Sequence, residues 1–219
     1  MLFRSGRFAP YRELGYAAAT AAKETFALGS VGAGLGATTA NFKGGLGSAS
    51  AVTQGGIAVA ALAVVNAVGS VTVGDGPWFW AAPFEIGGEY GGRGFPSPVT
   101  SDMLTLRIKG GAAATSSENT TLTVVATDAA LTKYQAKRLA MIAQTGMARA
   151  IYPVHAPLDG DVLFAAATGE KPVDPLVGLT ELGMVAANVV ARAIARGVYT
   201  ATALPFPGAV PAWKDRFGP

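Results

Sequence analysis

"GAAATSSENTTLTVVATDAALTK", residues 111–133, changes character in its middle. Up to Glu118 it is a run of small and polar residues with the look of a loop. From Thr120 it alternates β-branched and apolar positions, which predicts a strand over 120–127. The break falls at Asn119-Thr120-Thr121. Two readings fit it: an ordinary loop-to-strand junction, or a place where the chain is cut so that Thr120 becomes a new N-terminus. The second has a chemical motive. A threonine hydroxyl is a poor nucleophile until a base takes its proton, and a free α-amine on the same residue, with a pKa of about 7.7–8.0, can do so near neutral pH. A flexible loop entering a rigid strand suits such a cut, because the strand fixes the nucleophile and the loop can leave.

Three further features bear on the choice. "PLDGD" (157–161) sets Asp159 and Asp161 just before a predicted strand, "DVLFAAATG" (161–169), which reads as buried and closed by glycine. Residues two apart in extended chain face the same side, so both carboxylates can address one spot, where they would stabilise an ammonium and orient a hydroxyl. A solvated Asp-Gly turn explains the same residues without chemistry. Lys43 is a lone cation among glycines in "NFKGGLGSAS", and Asn66 closes "LAVVN", where its amide can donate to an oxyanion. A snorkelling surface lysine and a strand-end turn residue are the plain alternatives.

Composition removes several classes. The 219 residues contain no cysteine, which excludes disulfides, thiol catalysis and thiolate metal sites. The single histidine, His155, excludes a multi-histidine metal site, and any Ser-His-Asp triad would have to pass through it. A net charge of +3, with scattered basic residues and no interleaved aromatics, argues against a nucleic-acid surface. No charge occurs between Lys43 and Asp75, which raises a membrane question. Glycines, Gln54 and Asn66 interrupt that span, however, and its apolar core, "IAVAALAVV" (57–65), is short. Two buried strands, 48–53 and 57–65, account for it, and the expectation is a soluble, cytoplasmic chain.

Along the rest of the chain, "YRELGYAAATAAKETFA" (11–27) predicts a helix ending before Gly29. The glycine-dense stretch 29–50 fails the phosphate-loop pattern because Lys43 precedes Gly44, and glycines 32, 34 and 36 are too close for a dinucleotide fingerprint. Residues 74–102 form a long Gly/Pro/aromatic connection, and 103–110 read as a short strand. A helix is predicted from an Asp128 N-cap to Arg149, and another over 179–197, capped near Thr180 and stopped by Gly197. "PFPGAVP" (205–211) reads as an extended tail. The mixture indicates an α/β fold, with sheets sandwiched between helices.

Taken together, "GSVGAGLGAT…KGGLGSAS", "VVNAVGSV", "NTTLTVVATDAALTK", "LDGDVLFAAATG" and "ALPFPGAVPAW" occur in the order and spacing of the aminopeptidase/D-amidase family of self-cleaving N-terminal-nucleophile hydrolases. The chain resembles that family from about Tyr11 onward, most of all its nylon-oligomer hydrolases, whose junction is also Asn-Thr. The resemblance implies an αββα-like sandwich built by two subunits of one precursor, residues 1–119 and 120–219, assembled into tetramers of cleaved heterodimers. It implies cleavage between Asn119 and Thr120, with Thr120 as nucleophile and its amine as base. Asp159 and Asp161 would orient and charge-balance Thr120, Lys43 would lie beside them, and Asn66 would serve the oxyanion. No metal or organic cofactor is implied. The implied substrates are linear amides of the 6-aminohexanoate type, with short or β-linked peptides as the alternative. An uncut, catalytically silent scaffold is the reading from outside the enzyme class. Family members also carry a region N-terminal to the first matching helix, so the resemblance further implies that this chain begins part-way along a family member.

Overall fold

The computed structural model describes residues 10–111 and 119–218. Its centre is a four-stranded sheet in the order β1 (Leu46–Val52), β2 (Ala58–Asn66), β3 (Thr120–Ala129) and β4 (Val162–Lys171). The first three strands are antiparallel neighbours, and β4 runs parallel to β3. The helices are α1 (Tyr11–Thr20), α2 (Lys133–Ala143), α3 (Thr145–Ala148), α4 (Val177–Tyr199) and α5 (Trp213–Phe217). α4 packs along β1 and β2, and α2 and α3 pack on α4. This is the mixed α/β architecture expected, a sheet flanked by helices. The described residues contain one sheet, where the sandwich that the resemblance implies has two.

The sheet's odd-numbered positions form the core. Ala49, Val59, Ala61, Ala63, Val65 and Val125 are buried beneath α4, together with Ala186, Val190, Ala193 and Ile194 from the helix. Small side chains let the layers approach very closely. A Cβ added to Gly47 would lie 1.9 Å from the Ala193 carbonyl oxygen and 2.5 Å from the Gly197 nitrogen. The even-numbered positions face the other way and include Leu62, Leu122, Val124 and Phe164, all partly exposed.

The charge-free span after Lys43 is therefore β1 and β2, as the two-strand reading expects. Among the described residues one helix, α4, is long and apolar enough to cross a bilayer, but 61% of its most apolar window is buried in the fold, as befits the central helix of a core.

Several expected boundaries move. α1 stops at Thr20 because it buries no residue, so nothing beyond local propensity supports further turns. Residues 103–110 are not a strand. A 3₁₀ turn covers Ser101–Leu104, and the Lys109 N–H then bonds the Val68 carbonyl at 2.8 Å. Asp128 is not a helix cap but lies in β3, where it accepts the Ala58 N–H and pairs with Lys171 at 2.7 Å. The cap is Thr132, in a reciprocal box with Gln135. The helix expected to run to Arg149 is broken at Gln144 into α2 and α3. β4 is an exposed edge strand rather than a buried one, since only β3 borders it. α4 begins at Val177, where the Asp174 carboxylate caps three backbone N–H groups, and runs past Gly197 to Tyr199. The extended tail gives way to α5, which seats Trp213 fully buried against Phe79.

The long connection over 74–102 is ordered by its own polar contacts. The Tyr90 hydroxyl donates to the Ala81 carbonyl, the Glu85 carboxylate accepts from Tyr90 and Gly92 N–H groups, and Glu89 pairs with Arg192 of α4.

Candidate active site

The candidate residues gather where β2 ends and β3 begins. Asn66 and Thr120 are directly opposite in the β2–β3 register, and both lie on the face away from α4. Directly opposed residues of an antiparallel pair have Cβ atoms about 4.5–5.5 Å apart, so the two side chains are neighbours by construction. The residues 112–118 of the proposed leaving loop lie outside the described residues.

The Thr120 hydroxyl donates to the Asn119 carbonyl oxygen at 2.5 Å. That same oxygen accepts the Gly160 N–H at 2.8 Å. The carbonyl oxygen on the amino side of Thr120 thus accepts from both the Gly160 N–H and the Thr120 hydroxyl. Gly160 lies so close that a Cβ there would sit 2.7 Å from Thr120 Oγ1.

The two aspartates flank this point and bond different strands. Asp159 Oδ1 accepts the Val68 N–H at 3.0 Å, just past the end of β2. Its Oδ2 is buried without a hydrogen-bond partner among the described residues. Burial first, and the negative charge of Asp161 second, push the Asp159 carboxyl above the usual carboxylate range, against the pull of the Val68 N–H and the Lys109 ammonium. Asp161 Oδ1 accepts the Thr121 N–H at 2.8 Å, which fixes the start of β3. Its Oδ2 lies 3.0 Å from His155 Nδ1. Since a carboxylate only accepts, His155 donates from Nδ1, leaving Nε2 to accept from the Gln144 amide at 3.2 Å. Both ring nitrogens are therefore engaged, and neither bonds Thr120. His155 also has φ 53°, the only non-glycine residue described in the left-handed region.

Lys43 makes its side-chain hydrogen bonds within the glycine-rich loop rather than to Thr120 or either aspartate. Its side chain is buried, and Nζ donates to the carbonyls of Gly34, Ala37 and Gly44 at 2.7–2.8 Å. An ammonium has three protons, so none remains for Thr120 or either aspartate. Burial draws its pKa down to about 8. Its link to the site is indirect: it holds the glycine-rich loop whose Thr38 N–H donates to Asn66 Oδ1 at 3.0 Å. A second lysine, Lys109, reaches the site directly: its Nζ donates to Asn66 Oδ1 at 2.9 Å and approaches the Asn66 carbonyl at 3.4 Å. Sequence reading took 103–110 for a short strand and gave Lys109 no role. It also passed over Gly160, whose N–H and lack of a side chain are both used. No group of three or more His, Cys, Asp or Glu side chains able to hold a metal ion occurs among the described residues.

The Thr120 hydroxyl thus bonds its own preceding carbonyl, and Asp161 holds the next backbone N–H. Residues 1–209 match the sequence profile described as Peptidase family S58. The chain belongs to peptidase family S58. Among its S58 relatives is an uncharacterized aminopeptidase of Mycobacterium tuberculosis, 40% identical over 219 residues, which cover 95% of this chain and 62% of that one. The chain superposes on a β-aminopeptidase of Burkholderia sp. with a TM-score of 0.63 and 27% identity, covering 93% of this chain and 55% of that one. It also shares the fold of the L-aminopeptidase D-Ala-esterase/amidase of Ochrobactrum anthropi, described as a variant of the Ntn-hydrolase fold, at a TM-score of 0.58 over 90% of this chain and 55% of the other, with 20% identity. The S58 chain thus spans a little over half to about three-fifths of the length of these relatives.

Proposed function

We propose that this chain supplies the catalytic centre of a self-cleaving amide hydrolase, with Thr120 as nucleophile in both the cut at Asn119–Thr120 and the turnover of substrate. The observation that carries the reading is the Thr120 hydroxyl 2.5 Å from the Asn119 carbonyl oxygen, which also accepts the Gly160 N–H. In the first reaction Oγ adds to the Asn119 carbonyl carbon and the C–N bond breaks. The product is an ester from Asn119 to Thr120 Oγ and a free amine on Thr120. Water then hydrolyses the ester, leaving a carboxylate on Asn119. Residues 1–119 and 120–219 become the two subunits, and tetramers of such heterodimers are the assembly we propose.

In turnover, the freed amine takes the hydroxyl proton as Oγ attacks the substrate carbonyl. Asp161 holds the backbone beside Thr120, Asp159 supplies nearby negative charge for the ammonium that forms, and Asn66 donates to the oxyanion. Lys43 contributes by holding the loop that carries Thr38.

The substrates we propose are short peptides or amides with a free amine and little side-chain bulk, in keeping with the aminopeptidase names of the M. tuberculosis and Burkholderia proteins. The Asn-Thr junction favours a second reading, linear 6-aminohexanoate oligomers. Turnover of a panel containing alanine p-nitroanilide, a β-alanyl amide and a 6-aminohexanoate dimer tests both. The expected result is release of amine from at least one member by the wild type and from none by Thr120→Ala. Equal activity in the variant would sink the assignment of Thr120.

A further inference from the structure

Lys109 stands outside the set of residues that the sequence singled out, yet its contacts converge on the site. It is half-buried, at the end of the irregular segment that follows the Ser101–Leu104 turn. Its backbone N–H is fastened to the Val68 carbonyl, and the Val68 N–H is the donor to Asp159. Its ammonium reaches Asn66 Oδ1 at 2.9 Å. The Thr38 N–H reaches the same oxygen at 3.0 Å.

These two donors decide which way the Asn66 amide faces. The terminal torsion of an asparagine is nearly two-fold, so exchanging oxygen and nitrogen costs little unless partners tell them apart. Here a flip would set an N–H₂ group against an ammonium and a backbone N–H. The oxygen is thus committed to Thr38 and Lys109, and the N–H₂ donors are committed to the opposite side. Thr120 is the residue directly paired with Asn66 on the adjoining strand, on the same face of the sheet. A charged donor on the amide oxygen also draws electron density from its nitrogen, which makes the N–H groups stronger donors.

We propose that Lys109 is a positioning residue for amide hydrolysis: it fixes and polarises the Asn66 amide so that its N–H groups serve the oxyanion formed when Thr120 attacks. The inference rests on the reading of Thr120 as nucleophile and Asn66 as oxyanion donor. It adds a residue that acts through Asn66 without touching substrate. Lys109 has a second effect, since its charge opposes the burial and the Asp161 repulsion that raise the Asp159 carboxyl. Removing the charge therefore moves Asp159 further up.

The test compares Lys109→Met, Lys109→Arg, Asn66→Ala and the Lys109→Met/Asn66→Ala double variant, with Thr120→Ala as reference. Loss of an oxyanion donor lowers kcat by about 100- to 1000-fold, so a misaimed one is expected to lower it by about 10- to 100-fold. Lys109→Met should show that loss in kcat with KM little changed, and its acidic limb should shift to higher pH. Lys109→Arg should recover part of the loss. The double variant should be no slower than Asn66→Ala alone, because both changes remove one function. Additive losses, or a Lys109→Met variant with wild-type kcat, would overturn the proposal while leaving Thr120 and Asn66 in place. Turnover by Thr120→Ala would instead remove the reading on which it rests. A readout without turnover is the Asn66 side-chain N–H₂ pair in ¹H–¹⁵N spectra of the Thr120→Ala chain. The proposal expects Lys109→Met to shift both resonances and speed amide rotation, and an unchanged pair would contradict it.

Discussion

The two faces of the sheet follow opposite rules, although every strand contributes to both. Toward α4 the odd-numbered positions are small: Gly47, Ala49, Ala61, Ala63, Val65 and Val125. They let helix and sheet meet backbone to backbone. On the other face Leu62, Leu122, Val124 and Phe164 are partly exposed. That face ends in Asn66 and Thr120. The period of two in a strand lets Thr121 lie in the packed core while Thr120, one residue away, is presented to the site. Packing on one face is what makes the geometry on the other rigid.

The largest effect should come from breaking the packed face. In Gly47→Ala the new methyl meets the Ala193 and Gly197 backbone, which cannot rotate aside. Chemical denaturation should show a loss of about 3 kcal/mol or more, where Leu62→Ala on the open face costs less. A loss no larger than that of Leu62→Ala would mean that the layers are not in such close contact.

A glycine at the site should behave differently. The methyl of Gly160→Ala meets Thr120 Oγ1, a side-chain atom that can turn away. Cleavage and turnover should fall by about 100-fold, as for a 1 Å misplacement, with unfolding free energy changed by less than about 1 kcal/mol. Equal damage to folding and activity would erase the distinction between the two faces.

The smallest effect concerns Asp159. Its carboxyl is raised in the folded chain, so the native state holds its proton at pH values where the unfolded chain has lost it. Stability therefore falls as pH rises from the unfolded value of about 3.9 through the higher folded one. Asp159→Asn keeps an oxygen for the Val68 N–H and removes that dependence. It should be at least as stable as the wild type at pH 7, with its advantage shrinking below about pH 4, while turnover drops. A variant less stable than wild type across that range would contradict the burial argument.

Much of this organisation was legible in the chain. The alternation after Thr120, the charge-free span after Lys43 and the apolar stripe of α4 yielded the strands and the central helix. "PLDGD" put both aspartates forward as candidates. What was not legible depended on contacts between distant segments. Sequence does not reveal that three loop carbonyls take the protons of the Lys43 ammonium. Lys109 looked unremarkable because its meaning lies in Asn66, 43 residues away. Asp128 passed for a helix cap because sequence does not show that its carboxylate accepts the Ala58 N–H and pairs with Lys171.

The central claim is that Thr120 ends the loop as an attacking group and begins the second subunit as a nucleophile. The most direct measurement is the intact mass of the purified chain under denaturing conditions, beside Thr120→Ala. Two fragments are expected from the wild type, one of them beginning at Thr120, and a single uncut chain from the variant. A cut at any other bond, or the same cut in Thr120→Ala, would contradict it.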